Sequence, residues 1–293
     1  MNGRLVTPAQ LDAFTAEHTT AHRFWTGADG WVERFDADYL VSATDDGARI
    51  AAALPDWLAA VGLTARRTFV RRLVKQPGED DKPRLLAGPE LPPEAIVTER
   101  GLRFAIDFSA GYSVGLFCDQ RANRAFLESL RPKRVLNCFA YTCAFSAAAA
   151  RVGAETLSLD LSRRSLDRGR ANLALNDLSG DGHRFLADDV FAVLPRLARR
   201  GEKFDAIILD PPTFSRGAKG HVFRAERDLG SLLAQALALA TPGAHVLLST
   251  NARELDVAAL ADLARGLETF AVRPPDEYPP GAASATLWIT API

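Results

Sequence analysis

The chain has 293 residues, 47% hydrophobic and 24% charged, which fits about two globular domains and excludes collagen, coiled coil and long disorder. A formal net charge of −1 excludes a wholly basic protein that coats nucleic acid, though not a local basic patch. No apolar run approaches the ~18 residues of a membrane span, the opening MNGRLVTPAQ has no apolar core of signal-peptide type, and three cysteines make no disulfide framework, so a reducing cytoplasm is expected.

From Ala21 to Thr44, short aromatic and β-branched runs (HRFW, WVERF, YLVSAT) are punctuated by Asp29-Gly30 and Asp45-Asp46-Gly47, the pattern of a small antiparallel sheet. Pro55 suits the first helical position of PDWLAAVG, with Gly62 as its stop, and strand character resumes at Thr68. The stretch Pro77 to Pro93, rich in Pro, Gly and acid, reads as a loop or hairpin between two parts. A small α+β domain over 1–95 and a second domain over 96–293 are therefore expected.

In the second domain, strands are predicted at 134–139, 156–161, 183–187, 204–210, 245–250 and 286–290. Helices are predicted at 144–152, 162–176 (capped by Ser162), 190–200, 223–240 and 255–267. The strands are continuous apolar runs rather than alternating ones. Interleaved with helices, they require a parallel sheet covered on both faces.

Ligands of such a sheet bind outside the carboxyl ends of its strands. There the first strand offers Asn137 and Phe139, then Tyr141-Thr142-Cys143; the second Asp160; the third Asp188-Asp189; the fourth Asp210-Pro211-Pro212-Thr213-Phe214. Taken singly, Asp160 reads as a helix cap or a turn; acids at three successive strand ends do not. A carboxylate after the second strand suits a ribose diol. The first turn lacks G-x-G-x-x-G, so no pyrophosphate cradle is present, which argues against NAD, FAD and ATP. A nucleoside without phosphates fits, namely S-adenosylmethionine, whose sulfonium the carboxylates could balance. The prolines of D-P-P-T-F fix the backbone and leave carbonyl acceptors for a donor on a substrate, and Phe214 can stack on a flat base.

The segments RVLNCFAYTCAFSAAAA, LSLDLSRRSLDRGRANLALN, ADDVF, FDAIILDPPTFSR and GLFCDQRANR together resemble the class I S-adenosylmethionine-dependent methyltransferases of large-subunit ribosomal RNA. That family holds cytosine-C5, guanine-N7 and guanine-N2 enzymes. The resemblance runs from about Gly101 to Arg253 and extends more weakly to ADGWVERFDADYLV, which is similar to the family's small domain. It implies an α/β, Rossmann-like sheet with helices on both faces, preceded by the small α+β domain. It also implies that Asn137, Phe139 and Tyr141 line the methionine end of the cofactor. Asp160 and Leu161 would take the ribose, and Asp189, or its neighbour Asp188, would face the adenine. Gln120 and Arg121 would lie beside the cofactor, the Arg pairing with its carboxylate. Asp210, Pro211, Pro212 and Phe214 would form the catalytic loop, with Asp210 also touching the cofactor. No metal is implied.

The sequence departs from the family in three places. Cys143-Ala144 follows the Thr where the family has Gly; if that position needs a positive φ, Cys costs about 1 kcal/mol and narrows the cofactor pocket. Thr250 stands where cytosine-C5 members carry the thiol that adds to the ring, so a guanine nitrogen is the favoured target, attacked in line within a dry pocket. The N-terminal part is short for the added RNA-binding module of many members. RNA, single-stranded or with its base flipped out, is then expected to be gripped by Arg66, Arg67, Arg71, Arg72 and Lys75 and by Arg216 and Lys219, with Arg163, Arg164, Arg168 and Arg170 on one helix start. Two further readings stay open: a cofactor-binding protein of this fold without catalysis, and a methyltransferase for a small molecule or protein. A homodimer is allowed; no membrane or metal partner is expected.

Overall fold

The computed structural model describes residues 2–74, 82–216, 222–252 and 254–293. The chain divides into two compact units, one of Met1–Asp119 with Pro275–Pro280, the other of Gln120–Pro274 with Gly281–Ile293.

The first unit contains β1 (Gly3–Leu5), α1 (Pro8–Ala16), β2 (Ala21–Gly27), β3 (Gly30–Phe35), β4 (Asp38–Ala43), α2 (Ala48–Ala59), β5 (Arg67–Arg72) and β6 (Arg84–Ala87). The six strands form one sheet in chain order, antiparallel except for the parallel pair β4–β5, which α2 connects as a crossover. At Gly30 (φ 153°) a Cβ would stand 2.1 Å from the Ser42 carbonyl oxygen, so the close approach of β3 and β4 requires glycine. Phe24, Val32, Tyr39, Val41, Ile50, Leu54 and Leu58 make the core of this unit. Two expectations change here. Helix α2 begins at Ala48, so Pro55 lies inside it and not at its start. The boundary drawn at residue 95 falls within β7 (Glu94–Glu99), whose hairpin with β8 (Leu102–Asp107) belongs to the first unit.

The second unit runs α3 (Arg121–Leu130), β9 (Arg134–Cys138), α4 (Ala144–Arg151), β10 (Glu155–Asp160), α5 (Arg163–Leu175), β11 (His183–Ala187), α6 (Val190–Arg199), β12 (Phe204–Leu209), β13 (Phe214–Arg216), β14 (Val222–Arg224), α7 (Ala225–Leu237), β15 (Ala240–Thr250), α8 (Val257–Leu263), β16 (Glu268–Phe270) and β17 (Ala285–Thr290). Its sheet has the order β11-β10-β9-β12-β15-β17-β16. The first five strands are parallel, as the continuous apolar runs require, and β17 is antiparallel to both β15 and β16. Alternate strand residues enter different cores: Leu136, Ile207, Val246 and Ile289 pack with Val193, Leu194, Leu229 and Leu233, whereas Val135, Ile208, Leu247 and Trp288 pack with Leu127, Phe145 and Ala149. Each such buried aliphatic side chain contributes about 1.5–3 kcal/mol. The helix expected from Phe223 starts at Ala225, because 222–224 pair with 214–216 and Phe223 is buried near Phe139 and Phe191. The helix expected over 255–267 shortens to α8, capped by Asp256.

From β9 the chain moves outward on one side through β10 and β11, then returns to the other side at β12. That reversal puts the topological switch point between the carboxyl ends of β9 and β12, where sheets of this kind bind their ligands.

Candidate functional site

The turn leaving β9 is unusual. Phe139, Tyr141 and Cys143 have φ of 59°, 47° and 60°, so three alternate non-glycine residues are left-handed. Such residues cost about 1 kcal/mol or more each, and strain of this kind persists where the surroundings enforce it. Here the Ala140 amide is held by the Leu159 carbonyl at 2.8 Å and the Tyr141 amide by Asp160 Oδ2 at 2.8 Å.

Asp160 therefore binds the neighbouring strand's turn. Its Oδ1 accepts from the Ser162 amide at 2.8 Å, while Ser162 itself caps α5. Burial pushes the Asp160 carboxyl above its ordinary value, partly countered by the two amide donors. Each oxygen keeps a further lone pair. Half-exposed Leu161 follows. Next along the edge, the Asp188 amide donates to the Asp160 carbonyl at 3.1 Å, its Oδ1 accepts from the Asp189 amide, and its Oδ2 pairs with Arg196. Asp189 is buried and caps α6 through the Phe191 amide at 2.9 Å.

The expected narrowing at Cys143 meets a compensation. The side chain is fully buried, and a Cβ placed on Gly169 of α5 would stand 2.3 Å from its sulfur. The thiol occupies the gap this glycine leaves, and burial pushes it up to about 12. Asn137 is only 2% exposed and lies beneath the turn, donating to Ser146 Oγ at 2.9 Å, which in turn contacts Ser158 Oγ at 2.8 Å.

Beyond β12, Asp210 is half-buried, Pro211 is buried, and Pro212, Thr213 and Phe214 are exposed. Thr213 donates its hydroxyl to Asn251 Oδ1 at 2.7 Å, joining this loop to the end of β15. Thr250 is fully buried and accepts from the Ala252 amide at 3.1 Å. Gln120 is buried in a hydrogen-bonded series: it donates to Ser249 Oγ and accepts from Asn123, which accepts from the Trp288 indole. Arg121 is 8% exposed at the start of α3.

Phe139, Tyr141, Asp160, Leu161, Asp188, Asp189 and the Asp210–Phe214 loop thus gather at the carboxyl edge. Asn137 lies beneath that edge, and Gln120 is spent on internal bonds. The Asn251 partner of Thr213 and the role of Gly169 carry no motif of their own in the sequence, although a glycine inside a helical pattern is a signal for the second.

The basic run on β5 must be corrected. Arg67 is 2% exposed and grips buried Asp38 through Nε (3.1 Å) and Nη2 (2.5 Å). Arg66 forks onto the same carboxylate at 2.9 and 2.6 Å. Arg71 is buried against Ser42, Glu33 and the Tyr112 carbonyl. β5 is an inner strand, so Arg67 and Arg71 are spent on internal carboxylates, hydroxyls and carbonyls and offer no phosphate grip. Arg72 is half-buried. Lys75 and Lys219 lie outside the described residues, as does the side chain of Arg216.

A model of the S-adenosylmethionine-dependent methyltransferase family matches residues 48–279. The chain belongs to that family. Over 161 residues the methyltransferase is 39% identical to the ribosomal RNA large subunit methyltransferase I of Aeromonas salmonicida, covering 54% of this chain and 40% of that protein. Over 159 residues it is 38% identical to a putative ribosomal RNA large subunit methyltransferase of Bacillus subtilis, covering 53% and 40%. It thus spans about two-fifths of the length of these curated relatives. A putative methyltransferase whose crystal structure is complexed with SAH superposes with a TM-score of 0.82 at 24% identity, over 96% of this chain and 78% of that one.

The cofactor of the family, S-adenosylmethionine, supplies an electrophilic methyl on a sulfonium. The residues present suit it. Asp160 has lone pairs left for a diol, and the β9 turn makes its bend without a glycine-rich phosphate loop. Asp188, Asp189 and Asp210 add carboxylates along the same edge.

Proposed function

We propose that this methyltransferase modifies a base of RNA, in the large ribosomal subunit, at a guanine nitrogen rather than at cytosine C5. The substrate class rests on the relatives named above. The choice of atom rests on one observation: no thiol is available to attack a ring carbon. Thr250 is buried and its hydroxyl is engaged at the end of β15, and Cys118, Cys138 and Cys143 are all buried. Burial raises the Cys138 and Cys143 thiols far above the range in which a thiolate forms.

A ring nitrogen needs no covalent intermediate. Its lone pair would attack the cofactor's methyl as the carbon–sulfur bond breaks and the sulfur leaves as a neutral thioether, so the protein's task is to align the base and exclude water. In this reading Pro211 and Pro212 fix the loop, the Asp210 carboxylate and the loop carbonyls accept from the guanine N–H groups, and Phe214 stacks on the ring. Stacking of this kind contributes about 1–3 kcal/mol per base. Asp160 and Asp189 hold the nucleoside of the cofactor. Such a base must leave its stack, and the enzyme would work where ribosomes are assembled, in the cytoplasm.

Nucleoside mass spectrometry of ribosomal RNA tests this. Cells lacking the gene should lose one methylguanosine, and the intact gene should restore it. Loss of 5-methylcytidine, or no loss, overturns the assignment.

A further inference from the structure

With Arg67 and Arg71 spent inside the first unit, the charge that meets RNA has to lie elsewhere. Three arginines of the second unit are neutralised by carboxylates: Arg196 by Asp188, Arg170 by Asp167 and Arg227 by Asp228. Arg224 is different. It is exposed, and its guanidinium has no carboxylate partner among the described residues. Asp228, four residues on, accepts instead from the Arg224 backbone amide at 2.8 Å and from the Arg227 guanidinium.

The cation is nevertheless held in place. Arg224 is the register partner of Phe214 in the β13–β14 hairpin, and its guanidinium lies over the Phe214 ring, 5.8 Å from the centroid. Phe214 is 48% exposed and closes the Asp210–Phe214 loop, itself tied to Asn251. An unneutralised, oriented arginine stacked on one face of an exposed ring leaves the other face for a base. The guanidinium fork is then within reach of that nucleotide's backbone, where a phosphate is the matching anion.

We propose that Arg224 is an RNA-binding residue that takes a backbone phosphate beside the target base while Phe214 stacks on the base. The proposal rests on the RNA reading, and direct binding separates the two. Binding of a fluorescein-labelled single-stranded RNA oligonucleotide is followed by anisotropy across a salt series, for the wild type and for Arg224→Ala and Arg224→Lys. Loss of one phosphate contact should reduce the slope of log affinity against log salt by about 0.7 in Arg224→Ala and weaken binding about tenfold at low salt. Arg224→Lys should recover the slope, because it keeps the charge. S-adenosylmethionine affinity and the thermal midpoint should stay at wild-type values, because the side chain is exposed and its ring contact is with Phe214 rather than with a residue assigned to the cofactor. An unchanged slope and affinity in Arg224→Ala overturns this assignment and leaves the function proposed above in place. A wild type that does not bind the oligonucleotide overturns both. The expected slope change in a protein that transfers no methyl to RNA supports this assignment and overturns the other.

Discussion

Cys143 and Gly169 form a complementary pair. A left-handed Cys is held where glycine would be free of strain, and its sulfur fills the space a side chain on Gly169 would need. The two positions should therefore be coupled. Gly169→Ala alone should destabilise by about 1–3 kcal/mol through overpacking. In a Cys143→Gly background the same change should stabilise by up to about 1 kcal/mol, because Ala favours a helix interior over Gly. Urea unfolding of the four proteins checks this, and additive effects of one sign would refute it. A second residue-scale expectation concerns the loop after β12. On the proposed reading, in which this carboxylate meets the target base, Asp210→Ala should lower methyl transfer by about 100-fold or more with the thermal midpoint kept. Thr250→Val should cost less activity, because among the described residues that hydroxyl is bonded to the Ala252 amide alone. Full activity in Asp210→Ala, or a larger loss in Thr250→Val, would move the chemistry to the end of β15.

At the scale of elements, the series Trp288–Asn123–Gln120–Ser249 ties α3 to β17 and β15. Gln120→Leu would strand the Asn123 amide and the Ser249 hydroxyl in a buried site, at about 1–3 kcal/mol for each unsatisfied group. Denaturant unfolding should register that loss, whereas a Gln120 acting only on the cofactor would leave stability unchanged and raise the cofactor Kd. Some of these elements were legible and some were not. Helix α1 carries a readable signal: Thr7 and Gln10 spell a capping box around Pro8, and both of its hydrogen bonds form. β14 had no local signal, because VFR flows into a helical sequence and becomes a strand only by pairing with Phe214–Arg216. β16 is three residues long, too short for any period to appear.

At the scale of the whole molecule, the parallel sheet was legible because burial on both faces leaves its mark in the inner strands, and the acids at the strand ends followed from that. The role of the β5 arginines was hidden for the opposite reason. The side-chain partners Asp38, Ser42 and Glu33 of Arg66, Arg67 and Arg71 sit 28–38 residues away, and strand pairing in the folded sheet, which sets Asp38 beside Arg67 and Ser42 beside Arg71, brings them together. That pairing makes a prediction about acid stability. Burial alone would raise the Asp38 carboxyl, but hydrogen bonds from Arg66 and Arg67, and their charges, prevail and hold it below its ordinary value. A carboxyl depressed in the folded state stabilises the protein at any pH above its unfolded value, about 3.9, and that contribution fades as pH falls through the lower folded value. Asp38→Asn keeps the shape, removes the charge and leaves Arg67 buried without a counter-ion, at about 3–5 kcal/mol. Urea unfolding between pH 7 and pH 3 should show the variant less stable at neutral pH, with the gap to the wild type closing at the acid end. A gap that stays constant across the series would mean that the carboxylate charge does not hold this sheet together.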